Sequence, residues 1–218
     1  MSVTLQLKQV QVQPGQRLVL EEVSWQQFED ILEELGDHRG SRLTYSDGTL
    51  EIRMPLPEHE KNKVILGDLV KVLLDELEID YVSFGSTTFK RRDLAKGFEP
   101  DDCFYIRNFA AMVGKQCLDL GRDPPPELSI EVDVTSRTQL DVYRALGVPE
   151  LWRLEAGRLR IDVLREGEYI EVEQSPTFPD LPLKENLSRF LAMAQSEGPR
   201  LALKAFRQWV RGQIAGQD

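Results

Sequence analysis

Two predicted strands that carry carboxylates constrain this chain more than any other feature of its sequence. The segment FEPDDCFYI, residues 98–106, sets three acidic side chains around a proline and then continues as an aromatic and aliphatic strand. The segment ELSIEVDV, residues 127–134, repeats the combination. Side chains alternate between the faces of a strand, so Glu131 and Asp133 point the same way. Two neighbouring carboxylates on a buried face cannot both ionise cheaply without a compensating charge.

A divalent cation is one solution to this charge problem. Asp101, in the first segment, would supply a third oxygen if the two strands were neighbours. Hard ions such as Mg²⁺ favour a mixture of carboxylates, carbonyl oxygens and retained waters. The alternative is that the acidic face of the second strand faces solvent and that Asp101 is a turn residue after Pro100. Alternation alone leaves both interpretations open.

Length and composition indicate an ordinary globular protein. A chain of 218 residues is long enough for one well-filled core, and we expect a single domain over residues 1–218. Cys103 and Cys117 lack the spacing of a zinc site and indicate no disulfide framework. With no signal peptide and no apolar run of membrane-spanning length, we expect a cytoplasmic protein without a membrane partner.

The charge balance limits the possible partners. The formal net charge is −10, which argues against tight non-specific binding of nucleic acid through a broad basic surface. A partner that carries phosphates would therefore need a local basic patch or bridging metal ions.

Local signals predict a helical and stranded chain. Ser24 and Gln27 form a capping box, and Asp47-Gly48 is a strong hairpin signal. Periodicity predicts helices at 24–35, 58–77, 138–146, 185–195 and 199–214, a hairpin at 42–54, and strands at 81–90, 98–106, 128–134, 150–154, 158–165 and 169–173. From the helix at 58–77 to the strand at 150–154 the order is helix, three strands, helix, strand. This order predicts an α/β or α+β fold with a mixed sheet flanked by helices.

Three segments together carry a resemblance to a known family. The segments KGFEPDDCFYI, IEVDVTS and YRALGVPELWR resemble the Uma2 family of endonuclease-like proteins, within the PD-(D/E)XK nuclease superfamily. The resemblance covers roughly Ser24 to Pro182. It implies a restriction-endonuclease-like core over residues 20–182, with the element order αβββαβ, and a C-terminal helical extension over residues 183–218.

The resemblance also implies roles for individual residues. Asp101 would match the metal-binding aspartate of the Pro-Asp motif, and Glu131 would match the second carboxylate. Acidic and histidine positions similar to Glu51 and His59 line the same cleft in members of this family. Glu51 is therefore a candidate metal ligand, and His59 is a candidate catalytic group. For His59 the alternative is an exposed residue at a helix start. The expected cofactor is Mg²⁺ or Mn²⁺.

One position departs from the superfamily pattern. Asp133 stands where a lysine usually orients the attacking water and stabilises charge on the phosphate, and an aspartate cannot stabilise that charge. A cation from another element would have to replace it, and four candidates also serve as predicted nucleic-acid contacts: Lys90, Lys96, Arg137 and Arg144.

Two functions of different classes therefore stay open. The first is a metal-dependent endonuclease that hydrolyses phosphodiester bonds, with DNA as the expected substrate. The second is a degenerate nuclease fold kept as a binding or protein-interaction module. The amphipathic C-terminal helices predict a homodimer, and the resemblance implies the same, because related nucleases often form homodimers.

Overall fold

Two β-sheets form the centre of the molecule. The computed structural model describes residues 9–36, 40–134 and 138–216. The five-stranded sheet has the order β1-β3-β2-β6-β5, and the six-stranded sheet has the order β11-β10-β9-β8-β7-β4. The strands are β1 (Arg17–Leu20), β2 (Arg42–Ser46), β3 (Thr49–Arg53), β4 (Val82–Ser83), β5 (Phe89–Arg91), β6 (Lys96–Phe98), β7 (Asp102–Tyr105), β8 (Leu128–Asp133), β9 (Glu150–Glu155), β10 (Arg158–Arg165) and β11 (Glu168–Val172).

Helices flank both sheets. They are α1 (Trp25–Leu35), α2 (Pro57–Glu76), α3 (Phe109–Met112), α4 (Leu140–Ala145), α5 (Leu183–Glu197) and α6 (Pro199–Ala215). Within the described residues, no helix combines the length and the apolar character that crossing a membrane requires.

The strongest local signals give the predicted elements. Ser24 caps α1, and its capping box with Gln27 is complete. Asp47 and Gly48 both have positive φ at the tip of the β2–β3 hairpin, as a tight two-residue turn requires. Helix α2 begins at Pro57, whose missing N–H costs nothing at the first helical position.

Apolar side chains fill three layers. Helices α2, α5 and α6 pack on one face of the six-stranded sheet around Trp152 and Phe206. Helix α4 packs between the two sheets around Phe98 and Tyr143. Helix α1 covers the outer face of the five-stranded sheet with Phe28. The predicted fold class, α/β with a mixed sheet flanked by helices, is confirmed, since β8 and β9 run parallel while the other pairs in that sheet are antiparallel.

Two predicted strands are each divided between the sheets. The segment predicted as one strand at 81–90 gives β4 in one sheet and β5 in the other, and the segment at 98–106 is divided between β6 and β7. Pro100 explains the second division, because proline has no N–H to continue a ladder. The chain therefore crosses from the five-stranded to the six-stranded sheet at residues 99–101. The prediction of one central sheet was incomplete for this reason.

The C-terminal helices share the main core. Phe206 and Val210 of α6 belong to the same buried cluster as α2 and the six-stranded sheet. Glu76, in the last turn of α2, forms ion pairs with Arg207 and Arg211 of α6. The residues predicted as an extension are therefore packed against the helix that leads to the site described below.

We expect Gly67→Ala to destabilise the protein. A Cβ at Gly67 would lie 2.6 Å from Oδ2 of Asp102, a buried side chain whose Oδ1 already accepts bonds from Ser83 Oγ and Cys103 N. Relieving this overlap should cost roughly 1–3 kcal/mol of unfolding free energy, measured by urea denaturation.

Gly212→Ala is the matched control for this substitution. Gly212 is also helical, but a Cβ there meets nothing within 4 Å. The control should leave stability unchanged or raise it by about 0.5–1 kcal/mol. Equal stabilities for the Gly67 variant and the wild type would contradict the close contact.

Candidate metal centre between the two sheets

Asp101 lies where the chain crosses between the sheets. Its backbone N–H donates to the carbonyl of Ile130 at 3.1 Å, and its Oδ2 accepts the N–H of Val132 at 2.7 Å. These two bonds hold the carboxylate alongside β8, next to Glu131. Both Asp101 and Glu131 are fully buried.

Glu131 projects from β8 towards the space between the sheets. The Tyr143 hydroxyl of α4 donates to its Oε1, and Nη2 of Arg53 lies 3.7 Å from its Oε2. Burial raises the pKa of the Glu131 carboxyl, and the charge of Asp101 raises it further. Arg53 and the hydrogen bond from Tyr143 oppose this shift without cancelling it.

Strand β3 brings a carboxylate and a cation to the same place. Glu51 and Arg53 are two residues apart and therefore share a face of the five-stranded sheet. Nε of Arg53 lies 3.7 Å from Oε1 of Glu51. The Oε2 of Glu51 accepts from Arg17 at 3.0 Å and from Gln139 at 3.3 Å.

His59, in the first turn of α2, contacts Asp101 directly. Its Nε2 lies 3.0 Å from Oδ2 of Asp101, and its Nδ1 lies 3.4 Å from Oε1 of Glu60. Burial alone would lower the pKa of His59, but the bonds to Asp101 and Glu60 outweigh burial and raise the pKa to about 9. An imidazolium at this point compensates part of the charge on Asp101. The interpretation of His59 as an exposed helix start is wrong, because the residue is buried.

Asp133 lies at the end of β8, and burial raises its pKa. Its Oδ1 accepts the hydroxyl of Thr138, and its Oδ2 accepts the backbone N–H of the same residue. The side chain thus ties the end of β8 to the approach of α4. The alternative that this acidic face looks at solvent is wrong for Glu131 and holds only in part for Asp133.

The donor set fits a hard divalent cation. Oδ1 of Asp101 and Oε2 of Glu131 are buried without a hydrogen-bond partner, which is costly for a carboxylate. The described residues contain no cluster of three or more His, Cys, Asp or Glu side chains arranged to hold a metal. Mg²⁺ does not need one, because it commonly binds through one or two carboxylates and keeps waters or phosphate oxygens as its remaining ligands.

Three of the four predicted replacement cations pair with carboxylates outside this centre. Lys90 pairs with Glu29, Lys96 with Asp47 and Asp141, and Arg144 with Glu168. Arg137 lies outside the described residues. Their roles at the site stay predictions.

The sequence reasoning missed Arg53, Tyr143 and Gln139. Arg53 had a usable signal, because it follows Glu51 by two residues on a predicted strand and so shares its face. Tyr143 and Gln139 reach the site only through the packing of α4 between the sheets, which no local pattern reveals.

Comparisons with known proteins identify the family of this chain. The family model described as "Uma2: Putative restriction endonuclease" matches residues 25–194. A crystal structure of "a putative nuclease belonging to DUF820" from Anabaena variabilis is similar, with 15% identity and a TM-score of 0.49, over 86% of this chain and 99% of that chain. No curated protein matches. Because the family model covers most of the chain, this protein belongs to the Uma2 family.

Proposed function

We propose that this protein is a Mg²⁺- or Mn²⁺-dependent endonuclease that hydrolyses phosphodiester bonds in nucleic acid, with DNA as the expected substrate. The observation that carries the proposal is the pair Asp101 and Glu131, two buried carboxylates that each have one oxygen without a hydrogen-bond partner. The family to which the chain belongs supports the same reaction class.

Asp101 and Glu131 would hold the ion, and Glu51 is a predicted further ligand. A divalent ion bound there supplies Lewis-acid chemistry, because it polarises a phosphoryl oxygen and acidifies a water molecule. Water oxygen bonds to phosphorus as the bond to the leaving sugar oxygen breaks and that oxygen takes a proton. The products are one phosphate end and one hydroxyl end.

In this proposal, Arg53 replaces the superfamily lysine as the cation that stabilises negative charge on the phosphate. Its guanidinium lies beside Glu131 and Glu51, and its side chain is only 13% exposed. A fixed cation in an enclosed site stabilises negative charge that grows on the phosphate far better than an exposed one does. Asp133 would act through Thr138 by holding the approach to α4, and it stays a predicted ligand.

The second candidate function is a binding module without catalysis. Arg53 and His59 already compensate the two carboxylates, and Asp133 occupies the lysine position. Calorimetric titration with Mg²⁺ and Mn²⁺ separates the two candidates, because a module that has lost its chemistry should bind neither ion below millimolar concentration. The predicted homodimer and cytoplasmic location stay predictions.

Removing either carboxylate should abolish cleavage. With Mg²⁺ or Mn²⁺, the wild type should nick supercoiled plasmid, and Asp101→Asn or Glu131→Gln should lower the rate by about a hundredfold or more. Glu168→Gln, which removes an exposed carboxylate paired with Arg144, should keep the wild-type rate. If the wild type and the Asp101 variant nick equally slowly, the enzymatic proposal fails.

Substitution of Arg53 should reduce turnover more than substrate binding. We expect Arg53→Gln to lower kcat by about ten- to a hundredfold with a smaller change in KM, because the cation acts mainly on charge that develops in the transition state. Arg53→Lys should recover part of the loss. Equal kcat values for Arg53→Gln and the wild type would remove Arg53 from the reaction.

The metal-free protein should lose stability in mild alkali through His59. The pKa of His59 is raised from 6.5 to about 9, so its contribution is complete below about pH 6.5 and is lost as the pH rises through about 9. The unfolding free energies of the wild type and His59→Gln in EDTA should therefore converge over this range. The change should be on the order of 1–2 kcal/mol. A difference that is constant from pH 6 to pH 9.5 would contradict the ion pair.

A further inference from the structure

Three arginines occupy one register position on three neighbouring strands. Arg17 of β1 lies opposite Arg53 of β3, and Arg53 lies opposite Arg42 of β2. Paired positions share a face of the sheet, so all three belong to the face that carries Glu51. We call Arg17, Arg53 and Arg42 the arginine row.

The arginine row is costly for the fold alone. Like charges directly opposite one another on adjacent strands destabilise a sheet. Carboxylates offset this cost: Glu51 pairs with Arg17 and Arg53, and Glu60 lies 3.6 Å from Arg42. The contact with Glu60 is too long for a hydrogen bond, so an anion can compete for Arg42.

The arginine row leads from solvent into the candidate metal centre. The Arg17 side chain on edge strand β1 is 60% exposed, whereas those of Arg53 and Arg42 are 13% and 11% exposed. Neighbouring strands are about 4.8 Å apart, so the row extends roughly 10 Å across the sheet. Lys63 of α2 adds a fourth cation near Glu60, with its Nζ 3.6 Å from Oε2.

The surrounding charge makes this concentration unusual. The chain has a net charge of −10, yet its five-stranded sheet aligns three guanidinium groups. The middle one, that of Arg53, lies beside Glu51 and Glu131. Guanidinium groups bind phosphate oxygens in a bidentate manner, and a local basic patch is what an acidic protein needs to hold a polyanion.

We propose that the arginine row binds the phosphate backbone of a nucleic acid, with Arg53 at the reacting phosphate and Arg17 and Arg42 at the phosphates on either side. This proposal rests on the proposed function and adds a surface to it. That surface differs from the predicted contacts Lys90 and Arg144, which pair with Glu29 and Glu168.

Binding without metal tests the arginine row separately from catalysis. The probe is a short fluorescein-labelled DNA duplex, with an RNA duplex of the same sequence as a second arm, and anisotropy is measured in EDTA over a range of salt concentrations. Arg17→Gln combined with Arg42→Gln should weaken binding by about tenfold or more and lower the salt slope by roughly two. Arg158→Gln combined with Arg165→Gln, at two exposed positions of β10, changes the net charge equally and should leave both values near those of the wild type.

A charge-preserving pair guards against a folding artefact. Arg17→Lys combined with Arg42→Lys should keep most of the affinity, and thermal melting shows that each variant is folded. Equal losses in both glutamine pairs, or no binding by the wild type, would overturn the arginine row as a binding surface. If the row is needed for binding but Mg²⁺ and Mn²⁺ give no cleavage, the row stands and the proposed enzymatic function fails. If the protein cleaves DNA and the Arg17/Arg42 glutamine pair leaves KM unchanged, the proposed enzymatic function stands and the arginine row fails as a binding surface.

Discussion

The burial of Asp101 beside Glu131 is the constraint on which the rest of the site depends. Two carboxylates without water around them must either keep a proton or gain a positive neighbour. The fold supplies positive neighbours from two directions, His59 from the start of α2 and Arg53 from β3, and it leaves one oxygen of each carboxylate without a hydrogen bond. The two cations offset part of the negative charge of the carboxylates, and the two oxygens without hydrogen bonds can still bind a metal ion. The same interaction therefore links the stability of the fold to the proposed chemistry.

Local chemistry made part of the fold predictable. The capping box at Ser24 and the turn at Asp47-Gly48 depend on residues within a few positions of each other, and both elements occur as predicted. The division of two predicted strands between the sheets was not predictable from periodicity, because an alternating pattern does not state which sheet a strand joins. Pro100 was visible in the sequence, but its effect became clear only once β6 and β7 were seen to pair with different partners.

The candidate site was predictable to a similar extent. The shared direction of Glu131 and Asp133 follows from strand alternation, and the proximity of Asp101 required only that two successive strands be neighbours. Arg53, by contrast, depends on one sheet packing over another, and the alignment of Arg17 with Arg42 depends on strand register. The cations proposed from the sequence were sought on the following helix or a neighbouring strand, whereas Arg53, which lies beside Glu131, belongs to the other sheet.

The ion pairs between Glu76 and the last helix determine where the chain can be truncated without loss of the fold. The family match ends at residue 194, before α6 begins. Nevertheless, Arg207 and Arg211 of α6 form ion pairs with Glu76 at the end of α2, and Phe206 lies in the main core. A fragment that ended at the family boundary would expose apolar surface along α2. It would also lose the ion pairs that hold the C-terminal end of α2, the helix whose first turn carries His59. We therefore expect the smallest autonomous folding unit to be longer than the stretch that defines the family.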